Sequence, residues 1–230
     1  MENRNKIIYV ILAASIICNV LLLGILLGKN SNSNNDSNKE EQVQNNIEQI
    51  KDKAKVKIKE YVCSNLYIPE SYDPVETTVD SAFYSYLTDY ECLKAAEELI
   101  DLRRDYNSAK SNYDEAVNNI RTFGGSGVFR HFSVERDEAK KTIEETKPKI
   151  EKCESTIKNR DTSHDGQFIG WFVYNRYRAK TNSNTVSFGE ALLLFDKNMD
   201  KWNLRYNIEK DSKGNLDELK SIMEELLNDK

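Results

Sequence analysis

From Ile7 to Leu27 the chain runs for 21 residues without a charge, IIYVILAASIICNVLLLGILL. About 20 apolar residues cross the hydrocarbon core of a bilayer as a helix. A helix is also the one form in which a single segment satisfies its own backbone hydrogen bonds there. The run is longer than the apolar core of a cleaved signal peptide, about 7–15 residues, and no A-x-A cleavage pattern follows it. Ile17 stands before Cys18 where a lipoprotein signal needs a small residue, and the apolar run continues past that cysteine. The segment therefore predicts an uncleaved, single-pass signal-anchor at residues 7–27. Arg4 and Lys6 precede it, whereas Lys29 and then Lys39 follow, which favours a cytoplasmic N-terminus. On this reading the protein sits in the cell membrane, a bacterial inner membrane, with its C-terminal domain in the periplasm.

The rest of the chain is polar. Charged residues make up 31% of the 230 residues and the formal net charge is −5. Nucleic acid is therefore not an expected partner, since it calls for a basic face. Beyond the anchor the cysteines are Cys63, Cys92 and Cys153. Three widely spaced cysteines form neither a disulfide framework nor a zinc pattern, and each reads as a buried thiol.

Residues 28–41, rich in Asn and Ser, form a polar linker. Over 42–66, Val43, Ile47, Ile50, Ala54, Ile58, Tyr61, Val62 and Leu66 recur at helical steps until Pro69. Val75, Thr77, Val79, Ser81 and Phe83 alternate, predicting a strand over 75–83. From about 88 to 123 the apolar residues follow a heptad. Cys92, Leu99, Tyr106, Tyr113 and Ile120 hold one position, and Ala95, Leu102, Ala109, Ala116 and Phe123 the next. Residues 132–160 repeat it, with Ile143, Ile150 and Ile157 against Phe132, Ala139, Thr146 and Cys153. Gly124-Gly125-Ser126-Gly127 between the arms lets the chain reverse, so an antiparallel hairpin is expected, kinked at Pro148. Three strands follow: 166–181, 185–197 and 201–208, the last with Trp202, Leu204, Tyr206 and Ile208 on one face. An amphipathic helix over 216–228 closes the chain.

The expected fold class is α+β: a transmembrane helix, then a small antiparallel sheet packed with helices, interrupted by a coiled-coil hairpin at about 88–160. The extracytoplasmic domain would span 42–230.

Two pieces look alike in one family. Pro69-Glu70-Ser71-Tyr72-Asp73-Pro74-Val75 and Tyr177-Arg178-Ala179-Lys180-Thr181 are similar to elements of Bacteroidetes-type envelope proteins, membrane-anchored or lipoprotein-like. Those pair a DP-SYE-V element with a YRAKN-type strand. The likeness covers about half of the soluble part and leaves out the hairpin. It departs at Thr181-Asn182-Ser183-Asn184, where the group has Asn, an apolar residue and Gly. The resemblance implies a location in the envelope rather than an activity.

Chemistry leaves few traces in this sequence. His131 and His164 have no second histidine at ligand spacing, and Asp161, His164 and Asp165 suit a solvated loop better than a metal. Asp196, Asn198 and Asp200 mimic the start of a calcium loop, yet Lys201 and Asn207 stand where Gly and Glu are needed. No P-loop, dinucleotide fingerprint or nucleophile elbow occurs. No catalytic residue, metal or cofactor is expected. Arg176, Arg178 and Lys180 share a strand face and form a candidate anion-binding row. Phe123, Val128, Phe129 and Phe132 cluster at the hairpin tip and form a candidate partner-binding surface. The expectation is a non-enzymatic envelope protein that contacts another envelope protein, or a second copy of itself. The alternative is a small-ligand or anion-binding domain.

Overall fold

A computed structural model describes residues 36–123, 129–209 and 212–228. They form two compact units.

The first unit comprises residues 36–83 and 167–208. It contains helix α1 (Asp36–Asn65), a 3-10 turn at Pro69–Ser71, and strands β1 (Asp73–Phe83), β2 (Phe168–Lys180), β3 (Val186–Asp196) and β4 (Trp202–Tyr206). The strands form one sheet in the order β1-β2-β3-β4, every pair antiparallel. Helix α1 starts within the expected linker, because Lys39, Glu40, Glu41 and Gln42 are good helix formers. Ala54, Ile58 and Val62 on α1 are almost wholly buried and share a core with Val173, Leu193, Phe195 and Met199. Alternate residues of β2 and β3 thus face the helix.

Both ends of β1 break the expected alternation. The register jumps between Pro74 and Glu76, so Val75 stands out of the ladder and is exposed, and it jumps again between Ala82 and Phe83. A buried amide lies beside the first irregularity. Asn175 is fully buried on the helix side of β2. Its Nδ2 donates to the Glu76 carbonyl at 3.1 Å and to Thr77 Oγ1 at 2.9 Å, while its Oδ1 accepts from the Tyr72 hydroxyl at 3.2 Å. A buried amide is tolerated because these bonds satisfy it.

The second unit comprises residues 84–166 and 209–228. Helices α2 (Tyr90–Phe123) and α3 (Phe129–Lys158) pack along one another. Their seam is the heptad stripe, with Cys92, Ala95, Leu99, Leu102, Ala109 and Ala116 of α2 buried against Ala139, Thr146, Cys153 and Ile157 of α3. The arms are those expected, ending within two or three residues of the predicted limits. Asp89 caps α2, its Oδ1 accepting from the Glu91 and Cys92 amides at 3.0 and 3.2 Å. Helix α3 is continuous across Pro148, which faces solvent.

The C-terminal helix α4 (Leu216–Asn228) belongs with the hairpin and not with the sheet. Leu219, Met223 and Leu226 are its buried stripe, and α2 carries a matching second stripe in Leu93, Ala96 and Ile100. Arg103 of α2 ties the three helices, 2.8 Å from Glu154 of α3 and 3.2 Å from Glu225 of α4. Asn215 caps α4 by accepting from the Glu218 amide at 3.0 Å, and Glu218 reaches back to the Gly214 amide at 2.9 Å.

The expected architecture needs correction in its membrane part. Among the described residues no helix is long and apolar enough to cross a membrane. Each of the four helices carries charge along most of its length, as in KKTIEETKPKIEK of α3, and buries only a stripe. The observed fold is α+β, with a four-stranded antiparallel sheet and these four helices. The segment at 7–27 and the linker up to residue 35 lie outside the described residues.

Candidate functional site

At the hairpin tip, Phe123 ends α2 and Phe132 lies in the first turn of α3. Their rings are 6.4 Å apart, and Phe132 also meets the His131 ring at 5.8 Å. Phe132 is half-buried, while Phe123 stays 52% exposed. His131 Nε2 sits 3.1 Å from Glu135 Oε1, one turn on. Val128 and the side chain of Phe129 lie outside what the structure describes.

The cation row lies on the sheet face away from α1. Arg176 stands in register with Glu76 on one side and Glu190 on the other. Its guanidinium lies 4.9 Å from the centre of the Phe188 ring. Arg178 pairs with Asp73 across β1 at 2.5 Å. Two of the three cations are therefore already engaged by the sheet's own side chains. Lys180 shares their face at the strand end.

The loop histidine and its acidic neighbours are also committed locally. Asp165 takes the guanidinium fork of Arg160, Asp161 accepts from the Ser163 amide at 2.8 Å, and His164 meets the Tyr84 ring edge-on at 6.2 Å. Asp196, Asn198 and Asp200 form the β3–β4 turn, with Met199 at φ 59°. Lys53 Nζ donates to the Asn198 carbonyl at 2.7 Å and to Asp200 Oδ1 at 2.6 Å. The ammonium holds the Asp200 carboxyl below its ordinary range. Among the described residues no cluster of His, Cys, Asp and Glu is suited to a metal ion.

Two cavities were not legible as sequence motifs. One, of about 590 Å³, lies at the hairpin base between Tyr84, Asp89 and Cys92 on one side and Ser155, Asn159 and Arg160 on the other. The Tyr84 hydroxyl donates to Asp89 Oδ2 at 2.9 Å. Burial, assisted by that bond, pushes the phenol up to about 12. Burial likewise pushes the Cys92 thiol up to about 12 and raises that of Cys153. Burial thus holds both thiols away from the thiolate, the form that attacks electrophiles. Native alkylation at pH 8 is expected to modify half-buried Cys63 well before Cys92 or Cys153, which should react only after denaturation. Peptide mapping by mass spectrometry checks this, and fast modification of Cys92 in the native protein contradicts the burial.

The other cavity, of about 480 Å³, is an open groove between the C-terminal half of α1 and β4. Phe195 forms its floor and Tyr61, Trp202 and Arg205 its walls. The register between β3 and β4 jumps here: Leu194 pairs with Leu204, but Phe195 pairs with Trp202. Asn203 is thus an extra residue, and Trp202 turns to the helix side of the sheet. This corrects the expected alternation of Trp202 with Leu204 and Tyr206. Trp202 meets Tyr61 edge-on at 5.6 Å, and the Arg205 guanidinium lies 6.0 Å from the centre of the Tyr61 ring. Trp202 remains 48% exposed.

The fold and these surfaces define an α+β protein whose two units are a helix-backed sheet and a helical hairpin closed at its base by a third helix. Comparison of the chain with protein-family models, curated proteins and solved structures finds no match.

Proposed function

We propose that this protein is non-enzymatic and acts by binding another protein through its helical hairpin. The observation that carries this reading is Phe123, a large apolar side chain at the end of a long helix that keeps half of its surface in water. The shaft offers a partner much less. Its pairs, such as Lys140–Glu144 at 3.8 Å and Lys141–Glu145 at 3.9 Å, are exposed and confer little affinity. Burying one apolar side chain at the tip contributes about 1.5–3 kcal/mol, so two or three anchor a modest complex. The resemblance of residues 69–75 and 177–181 to envelope proteins makes an envelope protein the expected partner, with a second copy of this chain as the other form of the same reading. The anion-binding alternative is less favoured at Arg176 and Arg178, whose charges meet Glu190 and Asp73.

Photo-crosslinking from position 123 in cells, followed by mass spectrometry, identifies the partner. Phe129→Ala, outside the heptad positions, should abolish that crosslink while leaving the melting temperature unchanged. Intact crosslinking together with a melting temperature several degrees lower would show the rings to be internal packing and overturn the proposal.

A further inference from the structure

We infer that the groove between α1 and β4 is a binding site for a saccharide that carries a carboxylate. This does not rest on the hairpin reading, since every residue involved belongs to the sheet unit.

The argument begins at the bulge. Regular alternation along β4 would put Trp202 on the face of Leu204 and Tyr206, with Arg205 on the other. The extra residue, Asn203, brings Trp202 and Arg205 to the same side, over Tyr61. A bulge that re-aims one side chain is a recurrent device beside binding sites. Here it turns the largest apolar side chain of an edge strand into an open groove and leaves it half exposed. The half-exposed indole, which Tyr61 meets edge-on, presents a flat apolar face suited to the C–H face of a sugar ring.

Arg205 supplies the charge preference. Among the described residues it has no carboxylate within ion-pair distance, whereas Lys53 pairs with Asp200 and Lys57 with Glu60 on the same rim. Its guanidinium lies 6.0 Å from the centre of the Tyr61 ring, at the outer limit of a cation–π contact, and its planar fork matches a carboxylate. The remaining rim is polar. Ser64 Oγ and Asn65 Nδ2 donate to the Tyr61 carbonyl, both at 2.7 Å, so the rim offers mainly acceptor oxygens, those of Ser64, Asn65, Glu60 and Asp200. Sugar hydroxyls can donate to such oxygens. Lys57 neutralises the Glu60 carboxylate and Lys53 that of Asp200, which leaves the groove open to an anionic ligand at Arg205. A volume of about 480 Å³ lies within the usual range for small-ligand sites, roughly 300–1,000 Å³.

Isothermal titration of the full chain with tri-galacturonate tests the inference, with its methyl ester and acetate as comparisons. The expected result is saturable binding of one trimer. The ester should bind about tenfold more weakly, the loss of one charge-assisted fork, and acetate should not compete at equal concentration. Arg205→Gln should weaken the acid to the level of the ester and leave the ester unchanged. Trp202→Ala should weaken both, and Trp202→Phe, which keeps a stacking face, should retain most of the affinity. If the alanine variant melts early, the phenylalanine variant and Arg205→Gln carry the test. Absence of saturable binding overturns the proposal, as does equal affinity for acid and ester or indifference to Arg205→Gln. Equal competition by acetate would reduce the site to a bare anion contact and overturn the saccharide assignment.

Discussion

Gly170→Ala is expected to unfold the sheet unit. A Cβ added at Gly170 would lie 1.9 Å from the Phe195 carbonyl oxygen and 2.9 Å from the Asp196 carbonyl carbon. Both are backbone atoms of β3, the strand paired with β2 at this point. No side chain can rotate away to relieve the clash, so the strands themselves must separate. On the other side Gly170 pairs with Ala82, which is fully buried. The cost should exceed about 4 kcal/mol, a value reserved for specific backbone or core failures, against a total stability of about 5–15 kcal/mol. The measurement is direct because both tryptophans, Trp171 and Trp202, belong to this unit. Urea unfolding followed by tryptophan fluorescence should lose its cooperative transition, or move it to much lower denaturant. A wild-type midpoint would mean that β2 and β3 do not pair closely at Gly170. The same change should disorder the groove, whose floor is Phe195.

Leu99→Ala should have the largest effect on the hairpin unit. Leu99 is fully buried in the seam, near the base where Leu102 and Ile157 are also buried. Farther along the shaft the buried positions are mostly Ala109, Ala116 and Ala139, so large side chains are concentrated at the base. Truncation of a buried leucine costs about 2–5 kcal/mol, the lost transfer free energy plus the cavity left behind. Ellipticity at 222 nm on heating should show a midpoint many degrees lower. By contrast, Val117→Ala, at an exposed site on the same helix, should lie within about 0.5 kcal/mol of wild type. Equal effects of the two substitutions would contradict the seam.

Much of the local structure follows from period alone. The heptads of 88–123 and 132–160 prescribe two arms, and the arms observed are Tyr90–Phe123 and Phe129–Lys158. The apolar face of β3, Ala191, Leu193 and Phe195, and that of β2 around Val173 are likewise legible, because strand alternation is a property of the backbone. The acidic turn Asp196–Asp200 reads as a turn for the same local reason, and Lys53 confirms its use by binding there.

Other features depend on partners remote in sequence. Nothing in KWNLRYNI marks Asn203 as an extra residue; the bulge exists only against β3. The isolation of Val75 likewise depends on β2, where Asn175 holds the Glu76 carbonyl. An asparagine between Val173 and Tyr177 reads as an interruption of an apolar face until Tyr72, Glu76 and Thr77 are seen around it. The amphipathic stripe of α4 announces that the helix is buried without saying against what, and its partners prove to be the hairpin arms. An insertion read from the sequence as 88–160 therefore includes the C-terminal helix in its packing. By itself, then, the sequence determined which stretches are helix or strand and which side of each is apolar, because those depend on neighbours three or four residues away. Tertiary structure decided which apolar sides meet, where the ladders slip, and hence that Trp202 and Arg205 share a groove. Register and pairing are set by contacts between distant strands, which no local period encodes.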